Sequence, residues 1–458
     1  RSVKLLRLDD MILTRQGTLV RRAIHAVVSL LLRLFFRRIE TSNASVVPAK
    51  GSLIFVMNHP NGLVDPALVF VALPRKISFL AKSTLFRIPV FSYLLKVAEA
   101  LPVYRRIDSA DVSKNKKTFE ACHAQLQTGG AIALFPEGIS HNSPRLLPIK
   151  TGAARIALGA LSAASGKADF DLQIVPVGLY YTNKTTFRSD ALLLFGKPFY
   201  VEPPELGEDG NPTKDNVLEL TSRIETALAE ITVNAESKAR LDEAKEGANL
   251  FLSVSETLSI ENTIVARFEF VRKYLETELE ADPVAESLTK KISGYKRKLR
   301  ELGLEPENLS LSSEPVWYVL KTFVFRGLVL LILSPFALAG SVIHFPAYQI
   351  SKFLAARYTH HGVDDIISTV KIMSGMILIP LTWFFVAAFV YYLTASLIAL
   401  SAIPFSALLG YIALRSWEDY ADLRGWFKAS WVFITKRKVF LELLSERRQL
   451  VRSMESIK

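Results

Sequence analysis

At a few points in this chain an apolar run breaks into a Pro, Asn or Gly turn that carries a titratable side chain. The first is FVMNHPNGLVDPALVF, where His59 leaves an apolar run and Asp65 follows six positions later at the start of an apolar helical pattern. A loop at a strand end presents an imidazole, and a helix start holds a carboxylate close to it. A carboxylate that fixes the imidazole tautomer makes a better general base, which is what acyl transfer to an alcohol requires when a hydroxyl loses its proton. His59 is therefore the candidate base and Asp65 its orienting partner. Taken alone, the same residues also suit a cap and a core position.

The second point is LFPEGISHNSPRLLPIKTGAARIAL, where Glu137 and Gly138 form a turn and a basic helix start follows at Lys150 to Gly152. Glycine admits close backbone approach, a helix start offers free amides and lysine adds positive charge, a combination that suits a phosphate. Glu137 then suits the hydroxyls of a polyol, or is simply an exposed acid in a strand turn. In ALPVYRRID, Arg105 and Arg106 follow another apolar run, and one of them is expected to clamp a phosphate in the bidentate manner of arginine. LQIVPVGLYY, with Pro176 inside it, reads as a supporting strand. No GxxxxGK[ST] phosphate loop and no GxSxG nucleophile elbow occurs, and His360 and His361 stand together without ligand spacing, so no metal site is expected. The single cysteine, Cys122, excludes an intramolecular disulfide and a cysteine-built zinc site. Glycosylation triplets begin at Asn43, Asn183 and Asn308, a pattern frequent by chance.

These residues need a scaffold, and the sequence around them alternates. Candidate strands are 52–57, 77–81, 101–104, 131–135, 173–177 and 192–195, with helices expected over 83–98, 112–127 and 150–164. That order predicts an α/β domain with a mostly parallel sheet, whose ligands sit beyond the carboxyl ends of the strands. The predicted division is an interfacial amphipathic N-terminal region over 1–48, the α/β domain over 49–202, a helical extension over 203–315, an α-helical membrane domain over 316–414 and a basic cytosolic tail over 415–458. In 17–38 the arginines are expected at headgroup level, the alternative being an amphipathic helix packed on the domain.

Half of the residues are hydrophobic, and 56 Lys and Arg against 44 Asp and Glu leave a net charge of +12. With long apolar runs present, that balance favours lipid headgroups and anionic substrates over nucleic acid. No charge falls between Arg326 and Lys352 or from Ile372 to Leu414. The second run is long enough for two tightly joined spans. The tail beyond Leu414 is rich in Lys and Arg, so the positive-inside rule predicts an even number of crossings, with a hairpin in the second run and a re-entrant dip at Ser334, Pro335 and Gly340.

The ordered set NHPNGLVD, LPVYRR, FPEG and IVPVGL resembles the four sequence blocks of the glycerol-phosphate and lysophosphatidate acyltransferase superfamily. The resemblance implies a catalytic pair His59 and Asp65, with Arg105, Glu137 and Gly138 binding glycerol phosphate. It also implies acyl-coenzyme A as donor substrate without a further cofactor, and a membrane location with the catalytic domain facing the cytosol: the endoplasmic reticulum in a eukaryote or the inner membrane in a bacterium. Five residues, Pro60 to Val64, separate the pair where the usual block has four. That longer spacing, with FRSDALLLFGKPF and SGYKRKLRELGL, is similar to fungal-type glycerol-3-phosphate and dihydroxyacetone-phosphate acyltransferases, and implies acylation at sn-1. Acylation of lysophosphatidate and a non-catalytic lipid-binding scaffold are the alternatives.

Overall fold

The computed structural model describes residues 3–5, 17–73, 75–164, 170–208, 210–252, 263–276, 283–304, 316–358 and 366–455. His360, His361 and Asn308 lie outside them. The chain forms two units, Arg1–Lys238 with Thr359–Thr369, and Ala239–Tyr358 with Val370–Lys458.

In the first unit the order is β1 (Val3–Leu5), α1 (Leu19–Phe35), β2 (Arg38–Ser42), β3 (Ser52–Met57), α2 (Val64–Ala72), β4 (Ser78–Lys82), α3 (Pro89–Val97), β5 (Leu101–Val103), α4 (Asn115–Gln127), β6 (Ala131–Leu134), α5 (Gly152–Ala163), β7 (Leu172–Tyr181), β8 (Asp190–Phe195), β9 (Phe199–Tyr200) and α6 (Lys214–Ala229). The nine strands make one sheet ordered β1-β2-β8-β7-β3-β6-β4-β5, with β9 on β7. From β7 through β3, β6 and β4 to β5 every neighbour is parallel, while β8 runs antiparallel to β7. The mostly parallel α/β fold expected from the sequence is present.

Every residue of β3 and β6 is buried, as continuous apolar runs become when a parallel sheet is covered on both faces. Ile54 and Val56 of β3 join a core with Cys122 and Leu126 of α4, Ile156 of α5 and Ile224 of α6. Because α6 completes this core, the α/β unit extends past the expected end at residue 202. The N-terminal region differs from expectation too: β1 and β2 are strands of the sheet, and β2 pairs in parallel with β8 from Arg38↔Asp190 onward.

Helix α1 packs on the domain with its polar stripe inward: Arg21, His25 and Ser29 are buried with Leu32 and Phe35. Arg21 donates to the carbonyls of Val97 (3.0 Å) and Ile77 (3.1 Å), and the His25 Nε2–H donates to Val71 O (3.3 Å). Arg21 is therefore not at headgroup level; backbone carbonyls satisfy its donors, while Leu19, Val27 and Leu30 point outward.

The second unit comprises α7 (Lys238–Leu252), α8 (Thr263–Glu276), α9 (Pro283–Leu302), α10 (Val316–Tyr358), α11 (Ile367–Thr394), α12 (Ala402–Thr435) and α13 (Arg437–Glu455), apart from the first residues of α7 and α11. Segments Phe323–Arg357, Ile367–Thr394 and Leu397–Thr435 are long and apolar enough to cross a membrane. The expected dip at Ser334 to Gly340 is absent, since α10 continues through Pro335 and Pro346. The expected boundary at Leu414 is absent too, because α12 continues to Thr435. Gly340 of α10 lies against the carbonyl of Leu409, and Gly410 of α12 against the His344 ring, the close approach that small residues permit between apolar helices. His344 Nε2 accepts the indole N–H of Trp383 (2.8 Å), so Nδ1 carries the proton and donates to Gly340 O (2.8 Å).

Candidate active site

The parallel strands put their carboxyl ends on one edge of the sheet, and the chemistry-bearing residues follow those ends. His59 comes two residues after β3, Glu137 and Gly138 follow β6, Arg105 follows β5, and Tyr181 and Lys184 close β7. Asn58 ties the first loop to β7 as a strand would: its Nδ2 donates to Leu179 O (3.0 Å) and its Oδ1 accepts Leu179 N–H (2.7 Å).

The loop then turns back so that Asp65, in the first turn of α2, meets His59. Asp65 Oδ2 accepts His59 Nδ1–H at 2.8 Å and Asn61 N–H at 2.7 Å, and Oδ1 accepts the Tyr181 hydroxyl at 2.5 Å. Asp65 has no exposed surface, and the His59 side chain is 17% exposed. With Nδ1 protonated toward the carboxylate, Nε2 is the nitrogen whose lone pair can take a proton. The five intervening residues accommodate this geometry. The imidazole also stacks on Phe135 with centroids 4.1 Å apart, which fixes its plane.

Glu137 has a different position from the one expected of a polyol ligand. Its side chain is fully buried: Oε1 accepts His59 N–H (2.7 Å), and Oε2 accepts Leu147 N–H (2.9 Å) and the His141 ring N–H. These bonds organise the two loops around the histidine.

Arg105, Gly138 and Lys150 do come together. The Arg105 guanidinium donates to Gly138 O and to both oxygens of Asp108, through Nε at 2.7 Å and an η nitrogen at 3.1 Å. Lys82 also reaches Asp108, at 2.9 Å. Hydrogen bonding from Arg105 chiefly holds the Asp108 carboxyl below its ordinary range. The Lys150 ammonium lies over Gly138, whose φ of +75° and lack of space for a Cβ leave glycine the residue that fits. Guanidinium and ammonium thus gather positive charge at the Gly138 turn, next to Glu137 and its bond to His59 N–H, with the Asp108 carboxylate as the partner of Arg105. Arg106 is exposed on the following turn.

Two participants escape sequence reasoning. Tyr181 approaches Asp65 from 116 residues away, and Lys184 bridges three backbone segments. The Lys184 ammonium donates to Pro60 O (2.7 Å), His141 O (3.2 Å) and Asn142 Oδ1 (2.6 Å). Its carbonyl accepts Asn61 Nδ2–H (3.2 Å) and the Ser368 hydroxyl, while Leu63 N–H donates to Thr369 Oγ1 (3.3 Å). The segment LYYTNK, which closes the supporting strand and leads out of it, is the available signal.

Residues 38–180 match the family model described as Acyltransferase, and residues 245–457 match the one described as Glycerol-3-phosphate acyltransferase 2 C-terminal domain. Glycerol-3-phosphate O-acyltransferase 2 of Saccharomyces cerevisiae is 29% identical over 304 residues, covering 63% of this chain and 40% of that protein. An uncharacterised acyltransferase of Schizosaccharomyces pombe is 24% identical over 527 residues, covering 93% and 77%. Glycerol-3-phosphate O-acyltransferase 1 of Saccharomyces cerevisiae is 22% identical over 491 residues, covering 84% and 63%. The chain thus spans less than two thirds of either Saccharomyces relative.

Proposed function

We propose that this chain, with its Acyltransferase match over residues 38–180 and its Glycerol-3-phosphate acyltransferase 2 C-terminal domain match over 245–457, moves a fatty acyl group from acyl-coenzyme A to the sn-1 hydroxyl of glycerol 3-phosphate, giving lysophosphatidate. The observation that carries this reading is the 2.8 Å contact between His59 Nδ1 and buried Asp65, beside the cationic turn of Arg105 and Lys150. His59 Nε2 takes the proton of the acceptor hydroxyl as its oxygen attacks the thioester carbonyl. Collapse of the tetrahedral adduct breaks the carbon–sulfur bond, and the imidazolium returns the proton to the departing thiolate. Asp65 holds the tautomer and stabilises the imidazolium. Arg105 and Lys150, with Arg106 at the rim, hold the phosphate, and Glu137 and Gly138 keep the loop in register. The test is turnover of oleoyl-coenzyme A by the full chain in lipid nanodiscs, with glycerol 3-phosphate, dihydroxyacetone phosphate and lysophosphatidate offered separately. Glycerol 3-phosphate is expected to be acylated, with dihydroxyacetone phosphate as a second acceptor. Turnover of lysophosphatidate alone overturns the assignment.

The membrane arrangement follows from the second unit. Leu299 and Leu304, before α10, share an apolar cluster with Ala429 and Val432 at the end of α12 and with Phe440 and Leu443 of α13. Lys298 also pairs with Glu446 at 2.8 Å. On this reading, a chain that leaves a packed cluster and rejoins it crosses the bilayer an even number of times, so we infer that the apolar helices do not all cross fully. The basic residues of α13, among them Arg437, Lys438, Arg447 and Arg448, support a cytosolic side for that cluster, where acyl-coenzyme A is found. In a Cys122→Ser background, single cysteines at Glu301 and Ser453 should react with an impermeant maleimide from the same side of sealed vesicles. Labelling from opposite sides contradicts the arrangement.

A further inference from the structure

Tyr181 is the last residue of β7, paired with Ala191 of β8 and packed on the buried Phe36 ring at 5.6 Å between centroids. The ring is thereby fixed, and its hydroxyl points at Asp65 Oδ1 from 2.5 Å. The other oxygen of that carboxylate already serves His59 and Asn61 N–H. A buried carboxylate with a donor on each oxygen keeps its charge at low cost, and removing one donor leaves an unsatisfied lone pair where water does not reach. Burial first, and then the Asp65 charge, hold the Tyr181 phenol well above its ordinary range. It therefore remains a donor wherever an imidazole acts as a base.

We propose that Tyr181 is a positioning residue for the acyl transfer, acting through Asp65 to fix the imidazole of His59. The inference rests on the reading of that pair as the catalytic base. By accepting a hydrogen bond from the phenol, Asp65 spreads its negative charge over a third group, and less of it is concentrated on the imidazole side. Without the hydroxyl, Oδ1 loses its donor and the charge concentrates on the His59 side, so the pH dependence of turnover is expected to change. Other charged or titratable groups near the pair among the described residues are Glu137, bonded to His59 N–H, His141, bonded to Glu137, Lys184, bonded to Pro60 O, and Arg105 and Lys150 at Gly138. None of them hydrogen-bonds to the Tyr181 hydroxyl among the described contacts, so substitution there leaves their bonds in place.

The experiment is the pH profile of kcat/KM, with kcat and KM for glycerol 3-phosphate measured separately in nanodiscs. Tyr181→Phe is expected to move the acid limb upward and to lower kcat with KM for the acceptor little changed. Replacing Tyr181 with 3-fluorotyrosine, a stronger donor of the same shape, is expected to move the limb downward. This second replacement decides the matter if Tyr181→Phe does not fold. An unmoved limb in either folded protein, or a loss confined to KM, overturns the inference. A folded His59→Ala protein with full activity would instead defeat the underlying acyl-transfer reading. If His59→Ala is inactive and the Tyr181 limb is unmoved, this inference alone fails.

Discussion

Asp65 and Glu40 are both carboxyl groups without exposed surface in the first unit, and the fold treats them in opposite ways. Asp65 receives an imidazole N–H, a backbone N–H and a phenol O–H. Among the described residues neither oxygen of Glu40 has a hydrogen-bond partner. Burial pushes the Glu40 carboxyl up to about 7, with Arg38 pulling down and Asp190 pushing up. Equal burial with unequal donors shows what the active-site loop supplies: Glu40 avoids its desolvation cost by keeping a proton, whereas Asp65 is given the bonds that let it stay an anion beside His59. The first arrangement costs stability as pH rises, and the second serves a reaction.

Isosteric amides sharpen the contrast. Asp65→Asn removes the charge that orients His59 and supports the imidazolium, and kcat is expected to fall by about 10² to 10⁴ in a folded protein. Near-normal turnover would place Asp65 with Glu40 as a merely buried acid. A smaller effect is expected at the Gly138 turn. Arg105→Ala should raise KM for the phosphate-bearing acceptor by roughly 10-fold or more, the range of a charge-assisted hydrogen bond. KM for acyl-coenzyme A should change much less, and Lys150→Ala should follow the same pattern more weakly. Equal changes for both substrates would remove phosphate recognition from Arg105.

Glu40→Gln should leave turnover intact and change stability with pH. Because the folded value is raised, the contribution of Glu40 is fully present below the ordinary 4.5 and is lost as pH rises through about 7. The glutamine variant should therefore match the parent near pH 4.5 and exceed it above pH 7, by on the order of 1 to 3 kcal/mol. Thermal unfolding in detergent at the two pH values reads the difference. A constant offset between the proteins would show that Glu40 ionises in the fold as it does in water.

The sequence made the parallel part of the sheet legible because its strands are apolar on both faces. The runs at β3 and β6 have no polar alternation to mislead, and Pro, Asn and Gly mark their ends. β2 was not legible for the complementary reason: RIETS carries a glutamate that nothing local reveals as buried. For α1 the sequence leaves two readings, arginines at headgroup level or an amphipathic helix packed on the domain, because no local pattern shows that the carbonyls of Val97, Ile77 and Val71 lie beneath Arg21 and His25. His59 and Asp65 share one loop, so local spacing exposes them. Tyr181 and Lys184 reach that loop through the pairing of β7 with β3, which no local pattern records. Glu137 was placed in the right turn with its side chain turned the wrong way, because burial there depends on the 141–147 segment folding back over it.

The most direct test of the account is single-turnover acyl transfer from oleoyl-coenzyme A to glycerol 3-phosphate by His59→Ala in nanodiscs, with unfolding monitored on the same sample. A folded variant is expected to form lysophosphatidate at least about 10²-fold more slowly than the parent protein, with binding of glycerol 3-phosphate retained. A folded His59→Ala protein that turns over at the parent rate would contradict the account.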